Sequence, residues 1–221
     1  MADVLPGLPV KPRLRGVSHK WAFVVSLVTG VVVVVIAPAG EARLAAAIYA
    51  LSVSGLFGTS ALYHCIDWSS EAARRWMRRL DHSMIFLLIA GTFTPFALLA
   101  LDGTLATAIL IAVWAGALAG VVLNLAWVDA PKWLSALVYV VLGWVAVVTF
   151  PDLIRELGVG GTVLVAAGGT LYTLGAVVYV LRRPDPSPAI FGYHEIFHVL
   201  VIVAAALQYV AIAFFVLPNA S

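Results

Sequence analysis

Apolar positions in this chain follow neither the two-residue alternation of a half-buried strand nor the one-sided stripe of a soluble helix; they run on without interruption. A hydrocarbon core about 30 Å thick is crossed by about 20 apolar residues in a helix. Seven such runs can be marked, at Ser18–Ala37, Leu44–Ile66, Leu80–Leu101, Leu105–Trp127, Trp133–Phe150, Gly161–Leu181 and His194–Leu217. The pattern predicts an all-α, polytopic membrane protein, a seven-transmembrane-helix bundle. A membrane barrel is excluded because its strands alternate over about 10 residues. The connections are short, so residues 18–217 read as one transmembrane domain, preceded by a short arm over 1–17 and followed by a tail over 218–221.

Composition settles the solvent of those helices. Of 221 residues, 63% are hydrophobic and 11% charged, whereas a soluble domain has about 45–50% apolar and about 25% charged residues. The first run has a basic flank and ends in Ala-Pro-Ala-Gly, which raises a cleaved signal peptide. Its apolar part exceeds the 7–15 residues of a signal core, and retention as a span is expected. A lone cysteine, Cys65, excludes an intramolecular disulfide.

Charge supplies the orientation, because basic residues are retained on the cytoplasmic side. With the N-terminus inside, that side receives Lys11, Arg13, Arg15, Lys20, Arg74, Arg75, Arg78, Arg79, Lys132, Arg182 and Arg183, and the other side receives Arg43 and Arg155. Eleven against two predicts a cytoplasmic N-terminus and a C-terminus outside. The cluster Arg74–Arg79 around Trp76 is explained by anionic head groups and an amphipathic interfacial segment, so no nucleic-acid partner is expected.

That orientation brings chemistry to one depth. His194 and His198 are four residues apart at the start of the last run, a spacing that puts both imidazoles on one helix face. Ser60 and His64 repeat the spacing at the cytoplasmic end of the second run, and Asp81 and His82 open the third. Three histidines, His64, His194 and His198, make a plausible set for zinc, whose catalytic sites combine three protein ligands with water. Asp81 is placed to accept the water proton, and Ser60 to hydrogen-bond the water, Asp81 or a substrate oxygen. Plainer readings exist for each. Asp81 also suits a first-turn carboxylate answering a helix dipole, Ser60 a small packing residue, His82 a packing or supporting role, and His19 an interfacial side chain outside the site.

The segments that carry these residues are similar to a known family. Lys11-Pro-Arg-Leu-Arg-Gly-Val-Ser-His19, Ser60-Ala-Leu-Tyr-His64, the stretch Arg78 to Pro95, and Phe191-Gly-Tyr-His194-Glu-Ile-Phe-His198 resemble the bacterial haemolysin III proteins, relatives of the progestin and adiponectin Q receptors in a wider group with the alkaline ceramidases. The resemblance implies seven helices, a zinc ion near the cytoplasmic face held by His64, His194 and His198, and Asp81 and Ser60 around its water. It implies an enzyme of the bacterial inner membrane that hydrolyses an amide or ester of an acyl lipid. Two alternatives stand beside it. One is a membrane sensor, signalling or homeostasis protein with a structural zinc. The other is an intramembrane protease using HExxH, with Glu195 as base.

Overall fold

The computed structural model describes residues 11–127 and 131–220. The first ten residues of the expected arm, the last residue of the tail and the Lys132 side chain lie outside the described residues. The described chain is helical: α1 Val17–Ile36, α2 Glu41–Cys65, α3 Glu71–Leu99, α4 Gly103–Ala126, α5 Lys132–Gly143, α6 Phe150–Leu181 and α7 Tyr193–Ala211. A tight turn of helix over Trp144–Thr149 joins α5 to α6, and wider and tighter turns carry α7 on to Asn219.

Valine-rich runs such as those of α1 are indifferent helix formers in water. In hydrocarbon they have no alternative, since an unpaired backbone group finds no water and the helix satisfies every one internally. The outward residues agree with a lipid solvent: Val24, Val25, Val28, Val31, Val32 and Val35 are exposed along α1. Inward faces carry small residues that let helices approach closely. A Cβ on Gly91 of α3 would stand 2.3 Å from Ser52 Oγ of α2, and one on Gly120 of α4 would stand 2.3 Å from the Phe86 ring of α3.

Six helical stretches among the described residues are long and apolar enough to cross a membrane, one fewer than the seven expected. The expected fifth and sixth runs are joined in one stretch, Trp133–Leu181. Residues 151–160, the connection expected between those runs, include a proline, two acids and a base. They are helical instead, because Pro151 sits in the first turn, where no backbone N–H is needed, and Asp152 pairs with Arg155 a turn later. The one break is Gly158, whose φ of 64° and ψ of −179° lie outside the helical region.

A second difference concerns Asp81. The amphipathic segment expected around Arg74–Arg79 is no separate element; it is the start of α3. Ser70 caps it by accepting the Ala73 N–H, and Glu71 pairs with Arg75 at 3.3 Å. Asp81 therefore lies in the third turn of α3, beyond the reach of a helix-terminal dipole.

Helix α2 lies between α1 and α3, α4 packs on α3, and α7 packs on α6 and touches α1. The start of α1, the end of α2, the start of α3 and the start of α7 share one end of the bundle. There the Arg13 and Leu14 N–H groups donate to the Ala189 and Ile190 carbonyls at 3.0 and 3.1 Å, and Lys11 pairs with Asp67 at 3.0 Å.

Because α2 and α3 carry His64 and Asp81, their close approach sets the spacing of the site. Gly91→Ala is expected to cost about 1–3 kcal/mol through overpacking against Ser52. Gly169→Ala, where nothing lies within 4 Å of the added carbon, should be nearly neutral. Thermal unfolding of the two variants in detergent checks the contrast, and equal midpoints would show that the α2–α3 contact yields freely.

Candidate metal centre

Two helices deliver the three histidines. His64 is the penultimate residue of α2, while His194 and His198 lie one turn apart at the start of α7. His64 Nε2 and His194 Nε2 are 3.2 Å apart, and the nearest ligand atoms of all three histidines fall within 4.8 Å of one another. All three are buried, His198 to 1% exposure. Nitrogens bound at about 2.0–2.1 Å around a tetrahedral ion stand about 3.3–3.4 Å apart, so the His64–His194 separation is that of two ligands. Moreover His198 Nδ1 is buried with no hydrogen-bond partner among the described residues. These residues fit a metal ion.

Asp81 Oδ2 is 3.6 Å from His64 Nε2, which brings the α3 carboxylate to the same point. Ser60, one turn before His64, is also buried there, but its hydroxyl is engaged with His19, at 2.8 Å from Nδ1. His19 is no interfacial side chain. It is 3% exposed and its ring stacks on that of His198, with centroids 3.7 Å apart and an 11° tilt. It connects the α2 serine to an α7 histidine. Its place at the start of α1, at the depth of the other five residues, was the available signal. His82 lines the adjoining cavity, and its carbonyl accepts a hydrogen bond from the Tyr139 hydroxyl at 3.2 Å.

That cavity, of about 190 Å³, lies among α3, α5, α6 and α7. It takes in Asp81 and His198 at one end and Phe150 and Leu153 at the other, and most of its wall is apolar. A water needs about 10–15 Å³ measured this way, so the space is far larger than a packing defect.

A sequence model of the family described as "Haemolysin-III related" matches residues 9–209, from before the arm's contacts to beyond α7's histidines. The chain belongs to this family. Its relatives include "Hemolysin-3" of Bacillus cereus, 33% identical over 181 residues, which are 82% of this chain and 79% of the relative. "Hemolysin-3 homolog" of Bacillus subtilis (strain 168) is 33% identical over 168 residues, 76% and 75% of the two chains. The chain is also similar to "Monocyte to macrophage differentiation factor" of Homo sapiens, 25% identical over 174 residues, covering 77% and 69%. It is thus a multi-pass membrane protein of the haemolysin-III related family.

In this haemolysin-III related protein the acid of the HExxH string has other work. Glu195 is 1% exposed, and both carboxylate oxygens are taken. Arg15 Nε donates to Oε1 at 2.5 Å, and the Gly192 N–H donates to Oε2 at 2.8 Å. The second contact closes the first turn of α7 as half of a capping box; the first ties α7 to the arm. Gly16, next to Arg15, adopts a left-handed φ of 79°, and a Cβ there would stand 2.6 Å from His64 Cβ. The arm therefore crosses directly over the histidine cluster, a contact invisible in the sequence except as an acid too near an apolar run to lack a cation.

Removing one partner of a buried ion pair leaves the other charge uncompensated, at about 3–5 kcal/mol. Arg15→Ala is accordingly expected to lower the unfolding midpoint in detergent by on the order of 10 °C. Arg15→Ala combined with Glu195→Gln should recover much of the loss; a double variant no better than the single would remove the ion pair as the cause.

Proposed function

We propose that this protein is a zinc-dependent hydrolase of the bacterial inner membrane that cleaves an amide or ester bond of an acyl lipid near the cytoplasmic leaflet. The observation that carries this reading is the meeting of three buried histidines and a carboxylate with the end of an apolar cavity inside the bundle. Polar chemistry stands at one end of that space, and room for an aliphatic chain continues from it.

Seven crossings, with the N-terminus inside, support this placement. A straight helix of 49 residues would be about 74 Å long, more than twice the hydrocarbon thickness. The break at Gly158 divides Trp133–Leu181 into two arms of membrane-crossing length. The end that holds the histidines also holds Arg74, Arg75, Arg78 and Arg79 at the start of α3, and Arg182 and Arg183 after α6, as cytoplasmic segments do.

His64, His194 and His198 would hold the zinc ion, which supplies Lewis acidity and makes water acidic enough to lose a proton near neutral pH. Asp81 accepts the proton of the attacking water on Oδ2 and returns it to the departing amine or alcohol. The Ser60 hydroxyl, oriented by His19, is directed to the substrate carbonyl oxygen or the water. The apolar cavity wall binds the acyl chain and keeps bulk water from the reacting carbonyl.

One observation favours a structural metal instead. Asp81 Oδ2 lies at nearly ligand spacing from His64 Nε2, and a fourth protein ligand would close the site as in non-catalytic zinc proteins. The protein would then serve as a sensor or homeostasis factor. A protease with Glu195 as base has less support, since both its oxygens are engaged by Arg15 and Gly192.

Purified protein is expected to hold near-stoichiometric zinc, largely lost in His194→Ala with His198→Ala; equal metal in both would remove the centre. On an acyl amide or ester substrate, Asp81→Asn should lower kcat by about 10²–10⁴-fold, while Glu195→Gln stays within a few-fold of wild type. The opposite ranking would favour the HExxH reading. Zinc retained with no turnover of any acyl lipid would favour the structural one.

A further inference from the structure

The wall of the cavity is apolar along most of its length, and among the polar side chains that interrupt it away from the histidines three stand out by an unpartnered atom: Thr92 of α3, Tyr172 of α6 and Gln208 of α7. Thr92 is 9% exposed and Gln208 5%. Thr92 Oγ1, the Tyr172 hydroxyl and Gln208 Oε1 are all closed off from solvent, with no hydrogen-bond partner among the described residues. Gln208 is held in place by its other end, where Nε2 donates to the Val165 carbonyl at 3.2 Å. Gly168 makes the room, since a Cβ there would stand 2.6 Å from that nitrogen.

Counted along their helices, Thr92 and Gln208 share a depth, and the Tyr172 backbone lies about 5 Å nearer the histidines, within the reach of its long side chain. Thr92 is eleven residues beyond Asp81 on α3, and Gln208 ten beyond His198 on α7. At about 1.5 Å per residue both lie about 15–17 Å past the metal centre. Tyr172 is seven residues before Tyr179, whose ring is 5.8 Å from that of His194, which places it about 10 Å in by the same rule.

A buried polar atom without a partner is unfavourable by itself, and three around one cavity point to a ligand group that satisfies them. The set has one pure acceptor, the Gln208 carbonyl oxygen, and two hydroxyls that both donate and accept. None carries a charge. Such a set suits a neutral group that donates and accepts in turn, as a hydroxyl does.

We infer that Thr92, Tyr172 and Gln208 form a second, polar subsite of the cavity that selects aliphatic lipids bearing a hydroxyl part-way along the chain. The inference rests on the acyl-lipid reading of the same cavity and adds what kind of chain it prefers. With C–C bonds of about 1.5 Å, an extended chain advances roughly 1.3 Å per carbon. A hydroxyl near the twelfth carbon of an acid whose carboxylate meets the metal centre therefore arrives at this depth.

The test is equilibrium binding of stearate, 2-hydroxystearate and 12-hydroxystearate to the full-length, zinc-loaded protein in detergent. It is read by calorimetry, so no turnover is needed. The 12-hydroxy acid is expected to bind about tenfold more tightly than the other two, the worth of one or two buried hydrogen bonds. Tyr172→Phe, which removes only an unpartnered hydroxyl, should erase most of that preference without weakening stearate binding. Gln208→Leu tests the same point, and if losing the Val165 contact unfolds it, Tyr172→Phe with Thr92→Val carries the test. Equal binding of the three acids would overturn the subsite, the polar atoms then being served by water, and leave the hydrolase reading standing. Binding of none would overturn both.

Discussion

Inside a bilayer a polar group cannot turn to water, and this structure depends on how each of its polar groups is answered. The backbone answer is helix, which is why runs of valine that would be ambiguous in a soluble protein are helical here. The side-chain answer is pairing at one end of the bundle. His19 meets Ser60, His64 meets His194 and Asp81, and Arg15 meets Glu195. Each of these contacts joins segments far apart in the chain, so the requirement to satisfy buried polar groups also fixes which helices stand together. Two ring nitrogens of the cluster stay unanswered among the described residues, His19 Nε2 and His198 Nδ1. The second belongs to the histidine set best suited to a metal.

The Arg15–Glu195 pair shows how one requirement shapes several features. A carboxylate three residues into α7 is a good cap for the helix, but in this position it is also almost fully buried. A capping contact alone leaves its charge uncompensated. Arg15 supplies the compensation, and to do so the arm must fold back across the end of α2, with Gly16 in a conformation that tolerates contact with His64. The acid inside HExxH is thereby explained by helix capping and charge balance, and both its oxygens are engaged in those roles. The same letters in a soluble zincin describe a different geometry, because there the acid faces the metal-bound water.

How much of this could be read from the chain differs by kind of feature. The existence of the spans was legible because a continuous apolar run has a single stable answer in lipid. Their division was not: Pro151, Asp152 and Arg155 look like a loop, yet each has a helical role, and one glycine, Gly158, makes the break. The depth shared by Ser60, His64, Asp81, His194 and His198 followed from counting basic residues by connection. The exact partner of Ser60 did not follow, because His19 read as an interfacial side chain outside the site, and only packing places its ring on His198 and its Nδ1 on the Ser60 hydroxyl. Arg15 was hidden for a simpler reason: it read as one more positive-inside charge, and nothing in a charge count shows which arginine is turned inward.

The placement of the centre at one end of the cavity limits what the centre can do. Metal chemistry on a lipid needs water and proton exchange, which the end of the bundle supplies, together with a dry space for the aliphatic part, which its interior supplies. A purely structural metal would need only the first region, to bind helices α2 and α7, and would gain nothing from a long apolar space reaching Phe150 and Leu153. Close packing is the default for helix interfaces built on glycine and alanine, as Gly91 against Ser52 shows. A bundle that packs so tightly between α2 and α3 yet stays open between α3 and α6 maintains that opening against the tendency of its side chains to fill it. The open space is therefore the stronger support for the proposed lipid ligand, and the histidines support the reaction proposed at its polar end.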